Sequence, residues 1–116
     1  DSSAPSILEL RGINNTPSRF DPLINDNGQH PVSLRKAGSG AGCTGGYWII
    51  GNENHSYTGQ TVVNAVTLEV SKLANGGQPS SIGASSSDAS NLVLWRGRLL
   101  YTGPEVSTDR LFAITT

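Results

Sequence analysis

The chain contains no methionine and a single cysteine, Cys43, so no intramolecular disulfide can form. It begins with Asp1. Initiator methionine is trimmed only ahead of a small residue, and aspartate is not small. Asp1 therefore reads as an end made by an endoprotease, signal peptidase being the usual one, with a chain shortened by other means as the alternative. A lone thiol is awkward in an oxidising compartment, which favours a bacterial, archaeal or viral surface over a eukaryotic secretory route. Charge is also scarce, at 15% of residues against about 25% in typical domains. The net charge of −1 gives no electrostatic case for nucleic acid or an anionic membrane. No apolar run approaches the ~18 residues that span a bilayer, so direct membrane insertion is not expected.

Gly, Ser, Thr and Asn fill the gap left by charge. Such a surface is neutral and rich in hydroxyls and amides, which lowers repulsion between identical neighbours. The length of 116 residues fits one domain, 1–116, with a single core.

Apolar residues alternate with polar ones at the period of half-buried strands. Leu8 and Leu10 oppose Glu9 and Arg11, Pro31 to Arg35 alternates, and Tyr47 to Ile50 is apolar on both faces. Residues 60 to 74 fit either a helix or one long strand. Six of the thirteen residues from Thr61 to Leu73 are Val or Thr, which favours the strand. Leu92 to Tyr101 reads as another long strand with Gly97 as a bulge, and Arg110 to Thr115 as the last. Residues 78 to 90 form a serine-rich polar loop. No internal repeat is visible. Six or seven short strands with turns between them predict an all-β domain, an antiparallel β-sandwich or small barrel, with at most one short helix.

The motifs are sparse. Gly40 to Gly45 matches G-x-G-x-x-G, but the strand-like Tyr47–Ile50 follows where a dinucleotide site needs a helix. Cys43, His30 and His55 are too dispersed for a nucleophile–base pair or a zinc set, and the acids from Asp21 to Asp26 lack the calcium-loop spacing. No metal or cofactor is expected. Asn14-Asn15-Thr16 and Asn54-His55-Ser56 match the glycosylation pattern. Arg96 and Arg98, two apart on a strand, would share a face. That face either grips a carboxylate or phosphate or is solvated and deters edge pairing. Trp95 would point the other way and help close the core, which leaves Tyr57 as the best-exposed aromatic for stacking on a sugar.

Tyr101-Thr102-Gly103 followed by Asp109-Arg110-Leu111 resembles a segment of the small microbial guanyl-specific ribonucleases. In that family the arginine neutralises the transition-state phosphate, and a glutamate beside a tryptophan is the base. Trp95 stands near the corresponding place, but its neighbours are Leu94 and Arg96, and no histidine follows Arg110. The resemblance implies a relative that binds without cutting, and no catalytic role is carried over.

The expected protein is therefore a non-enzymatic, secreted or surface subunit that works by assembly. It would join copies of itself or a membrane-anchored partner protein in a filament, pilus or virion-like shell, for example as the globular half of a two-chain pilin. The strand bearing Ile7, Leu8 and Leu10 could add to a neighbour's sheet edge. The alternative is a secreted binding module, a lectin or a host-interacting effector, working through Tyr57 and the serine-rich loop.

Overall fold

The computed structural model describes residues 6–11, 16–37 and 46–115. Cys43 and the Gly40–Gly45 motif lie outside them. The described residues form nine strands: β1 (Ser6–Arg11), β2 (Ser18–Phe20), β3 (Val32–Ala37), β4 (Tyr47–Ile50), β5 (Thr61–Asn64), β6 (Thr67–Val70), β7 (Leu92–Trp95), β8 (Arg98–Tyr101) and β9 (Ala113–Thr115). A short 3-10 turn, Ala89–Asn91, precedes β7.

Every pairing between strands is parallel. Odd-numbered strands build one sheet in the order β1-β3-β5-β7-β9, and even-numbered strands build a second in the order β2-β4-β6-β8. Each circuit of the chain adds one rung to each sheet. This is a β-solenoid, and it overturns the antiparallel sandwich or barrel expected from sequence. Alternation states which face is buried but not the direction of the neighbouring strand, so the sequence pattern fits both arrangements.

Side chains stack in rows through the coil. On the first sheet Leu8, Leu34, Thr61 and Leu92 share one inward row. Leu10, Lys36, Val63, Leu94 and Ile114 share the next, which ends in Ile114 at 69% exposure. On the second sheet the inward rows are Ser18, Trp48, Leu68, Leu99 and Phe20, Ile50, Val70, Tyr101. Leu34, Val63, Leu68, Ile50 and Val70 are essentially fully buried. Each contributes roughly 1.5–3 kcal/mol of apolar transfer free energy.

Lys36 breaks the apolar character of its row. It is fully buried and its ammonium sits 5.5 Å from the centre of the Trp48 ring, within cation–π range. Burial lowers its pKa to about 8, partly opposed by Glu9.

The two segments read as long strands are each two strands around a corner. Ala65 (φ 58°) and Arg96 (φ 52°) occupy the left-handed region at equivalent places, between β5 and β6 and between β7 and β8. The Ala65 N–H donates to the Trp95 carbonyl at 2.9 Å, and the Arg96 N–H donates to the Thr115 carbonyl at 3.1 Å. Each corner is thus held by the rung that follows. Gly97 is tied to this geometry, since a Cβ there would lie 2.2 Å from the Val63 carbonyl oxygen. It is part of a corner, not a bulge in one strand.

Candidate interaction faces

The connections from the second sheet back to the first form a third side of the coil, and this side is built from polar groups. Asp26 accepts from the Val32 N–H at 2.9 Å, the Thr58 N–H at 2.9 Å and the Thr58 hydroxyl at 2.6 Å. Burial opposes ionisation of Asp26, but these hydrogen bonds outweigh it and hold the carboxyl below its usual pKa. His55 is fully buried. Its Nδ1 accepts from the Ile24 N–H at 3.0 Å, so the proton of the neutral ring sits on Nε2, which is buried without a partner. Burial also lowers the His55 pKa, which keeps the ring neutral.

Tyr57 is buried as well, with its hydroxyl 2.7 Å from the Thr61 hydroxyl. Burial raises its pKa far above the ordinary phenol value. It cannot serve as the exposed, sugar-stacking aromatic expected from sequence. The serine-rich loop is likewise structural in part. Ser80, Ser81 and Ser85 are buried, and the Ser80 hydroxyl donates to the Gly83 carbonyl at 2.8 Å.

Arg110 explains the ribonuclease-like segment differently. Its guanidinium donates to the carbonyls of Ala74 (2.8 Å), Gln78 (3.1 Å) and Gly83 (3.0 Å), with further contacts to the Ser85 hydroxyl (3.3 Å) and the Asn75 carbonyl (3.5 Å). Asp109 beside it accepts from the Gly76 N–H at 2.8 Å, and its own N–H donates to Asn75 Oδ1 at 3.0 Å. The pair clamps one connection onto the next. In this position Arg110 is committed to backbone carbonyls instead of facing a phosphate.

Arg96 and Arg98 do not share a face, because the corner separates them. Arg96 sits at the turn, whereas Arg98 is exposed on an outward row of the second sheet with Tyr47 and Thr67. Tyr47 donates from its hydroxyl to Glu69. Leu8 is half-buried and Leu10 buried, both on inward rows, and β1 is the end strand of its sheet. Ile7 is 66% exposed and does face outward.

Trp95 is the aromatic that the sequence reading missed. It is 44% exposed, not folded into the core. The outer surface of the first sheet forms a concavity of about 210 Å³ lined by Ile7, Ser33, Leu34, Arg35, Gln60, Val62 and Trp95. The Gln60 N–H donates to the Ser33 hydroxyl at 3.0 Å, and Gln60 Nε2 donates to the Ser90 carbonyl at 2.7 Å, which fixes this side chain. Arg35 shares an outward row with Glu9, but the Glu9 carboxylate is engaged by Arg11. Arg35 Nε is buried and without a hydrogen-bond partner. An unsatisfied donor of this kind costs roughly 1–3 kcal/mol. The signal for the face was available in the sequence: the inward positions Leu92 and Leu94 change parity to Leu99 and Tyr101, which places Trp95 outside.

Among the described residues no group of His, Cys, Asp and Glu is placed to hold a metal ion, and no helix is long and apolar enough to cross a membrane.

No family model matches the chain, and no solved structure matches it. The chain is 51% identical over 63 residues to the adhesin BmaC autotransporter of Brucella suis biovar 1 (strain 1330), a match that covers 54% of this chain. The match spans about 2% of the length of that relative. The likeness points to an extracellular or cell-surface setting, the coarse form of the location expected from sequence.

Proposed function

We propose that this chain is a surface-displayed, adhesin-like β-solenoid whose stacked rungs hold an outward face available to extracellular ligands. The observation that carries this reading is the 51% identity to an autotransporter adhesin over 63 residues. The fold supports it physically. Parallel rungs satisfy one another's backbone groups along the coil, so the outer faces need not be spent on packing. The outer side of the first sheet leaves Trp95, Ile7 and Arg35 accessible at one concavity. The role is binding, not bond-making. The likeness lends no support to the narrower picture of a pilus or filament subunit.

Adhesion is testable directly. Beads coated with the purified chain should attach to host-cell monolayers or to immobilised extracellular matrix, and soluble chain should compete the attachment away. Beads that attach no better than those coated with an unrelated β-solenoid would remove the adhesive reading.

A further inference from the structure

The concavity on the first sheet has the chemistry of a specific ligand class. We infer that it takes a sugar ring bearing a carboxylate, a uronic or sialic acid unit of an acidic glycan. This rests on the adhesive reading and deepens it. Three features converge. Trp95 supplies an exposed aromatic surface, and with Ile7 and Val62 it makes an apolar wall suited to the C–H face of a pyranose. Arg35, half-buried in the lining, supplies a planar guanidinium that matches a carboxylate, through its terminal nitrogens, since Nε is buried. Ser33 and Gln60 supply fixed polar groups for ring hydroxyls. At about 210 Å³ the concavity suits one ring laid against the face, being smaller than the ~300–1,000 Å³ pockets that enclose a drug-sized ligand.

The anionic character of the ligand follows from which charges are already used. The Glu9–Arg11 pair neutralises itself on the neighbouring rung. Among the described residues no counter-charge is bonded to Arg35, so a ligand carboxylate is the group that completes the site.

The test is titration of the folded chain, by calorimetry and by indole fluorescence, with three probes. These are an oligogalacturonate, its carboxyl-reduced neutral counterpart, and a sialylated oligosaccharide. At least one acidic probe should bind about tenfold more tightly than the neutral one, and the binding should weaken as salt rises. The two acidic probes separate uronate from sialate. Trp95→Ala should weaken binding about tenfold or more, while Trp95→Phe retains most of it. Arg35→Gln should abolish the preference for the acidic probe and leave weak neutral binding. Circular dichroism and the unfolding midpoint confirm that each variant is folded. Saturation of neither acidic probe, or equal affinity in wild type, Trp95→Ala and Arg35→Gln, overturns the inference. Cell attachment that survives both substitutions also overturns it and leaves the adhesive reading standing on another face. Acidic-sugar binding without cell attachment does the reverse.

Discussion

The connecting side of the coil is stitched in two places by opposite chemistry. In the first half a carboxylate, Asp26, gathers N–H and O–H donors from Val32 and Thr58. In the second half a guanidinium, Arg110, donates to carbonyls spread from Ala74 to Gly83. The difference follows from what each connection leaves unpaired. The short connection of residues 51–60 turns amides towards its neighbour. The longer one, 71–91, folds back on itself and points carbonyls at a common centre. A compact acceptor serves the first case, and only a long fork with five N–H groups serves the second. An irregular connection is thus held by charged side chains matched to its backbone polarity, Asp109 adding an acceptor for the Gly76 N–H beside Arg110.

Removing the larger clamp is the strongest test of this contrast. Arg110→Ala should cost roughly 3–5 kcal/mol, because the part-buried carbonyls of Ala74 and Gly83 and the exposed one of Gln78 lose a charged donor together. Hydrogen exchange should quicken across residues 74–87 and leave 51–60 protected. Equal loosening of both connections would mean that the two clamps are not independent.

The interior of the two halves also differs, since Lys36 occupies a row where the later rungs carry Val63 and Leu94. Its folded pKa of about 8 lies below the ordinary value of 10.5. Between these values the unfolded chain holds the proton and the folded chain releases it, so stability rises with pH across that window. The rise is on the order of 3 kcal/mol. Lys36→Met should abolish it in denaturant titrations at pH 7 and pH 10. A rise of the same size in the variant would place its origin elsewhere.

The smaller clamp should give a smaller loss. Asp26→Ala is expected to cost roughly 1–3 kcal/mol and to open 51–60 selectively. The folded pKa of Asp26 is lowered, so its contribution is present above the ordinary carboxylate range. It is lost as pH falls through the folded value, and acid should weaken wild type more than Asp26→Ala. The mildest change lies at the corners. Ala65→Gly and Arg96→Gly relieve left-handed backbone and should each raise stability by about 0.5–1 kcal/mol, read as a higher urea midpoint. A drop at either site would show that the side chain adds more there than the backbone strain removes.

The sequence exposed the rungs better than their arrangement. The strands at Leu8–Leu10, Val32–Arg35 and Tyr47–Ile50 were legible because alternation is a local property. Residues 61–70 and 92–101 were each read as one strand because a corner of two residues leaves no proline or glycine cluster as a marker. The clue was a change of parity. Thr61 and Val63 point inward before Ala65, and Val66, Leu68 and Val70 do so after it. No repeat was visible because the steps between stacked positions vary: 26 residues from 8 to 34, 27 from 34 to 61, 31 from 61 to 92, and 20 from 94 to 114. The same pattern hid the outward face. Trp95 was assigned to the interior and Tyr57 to the surface, because an apolar count does not say which aromatic a corner turns outward.

Those unequal steps have an evolutionary consequence. The extra residues fall in the connections, while rung-to-rung alignment is kept. Segments can therefore lengthen, shorten or change composition on one flank without disturbing the scaffold beneath them. A molecule organised in this way can vary the surface of one flank and still stand on an unchanged frame.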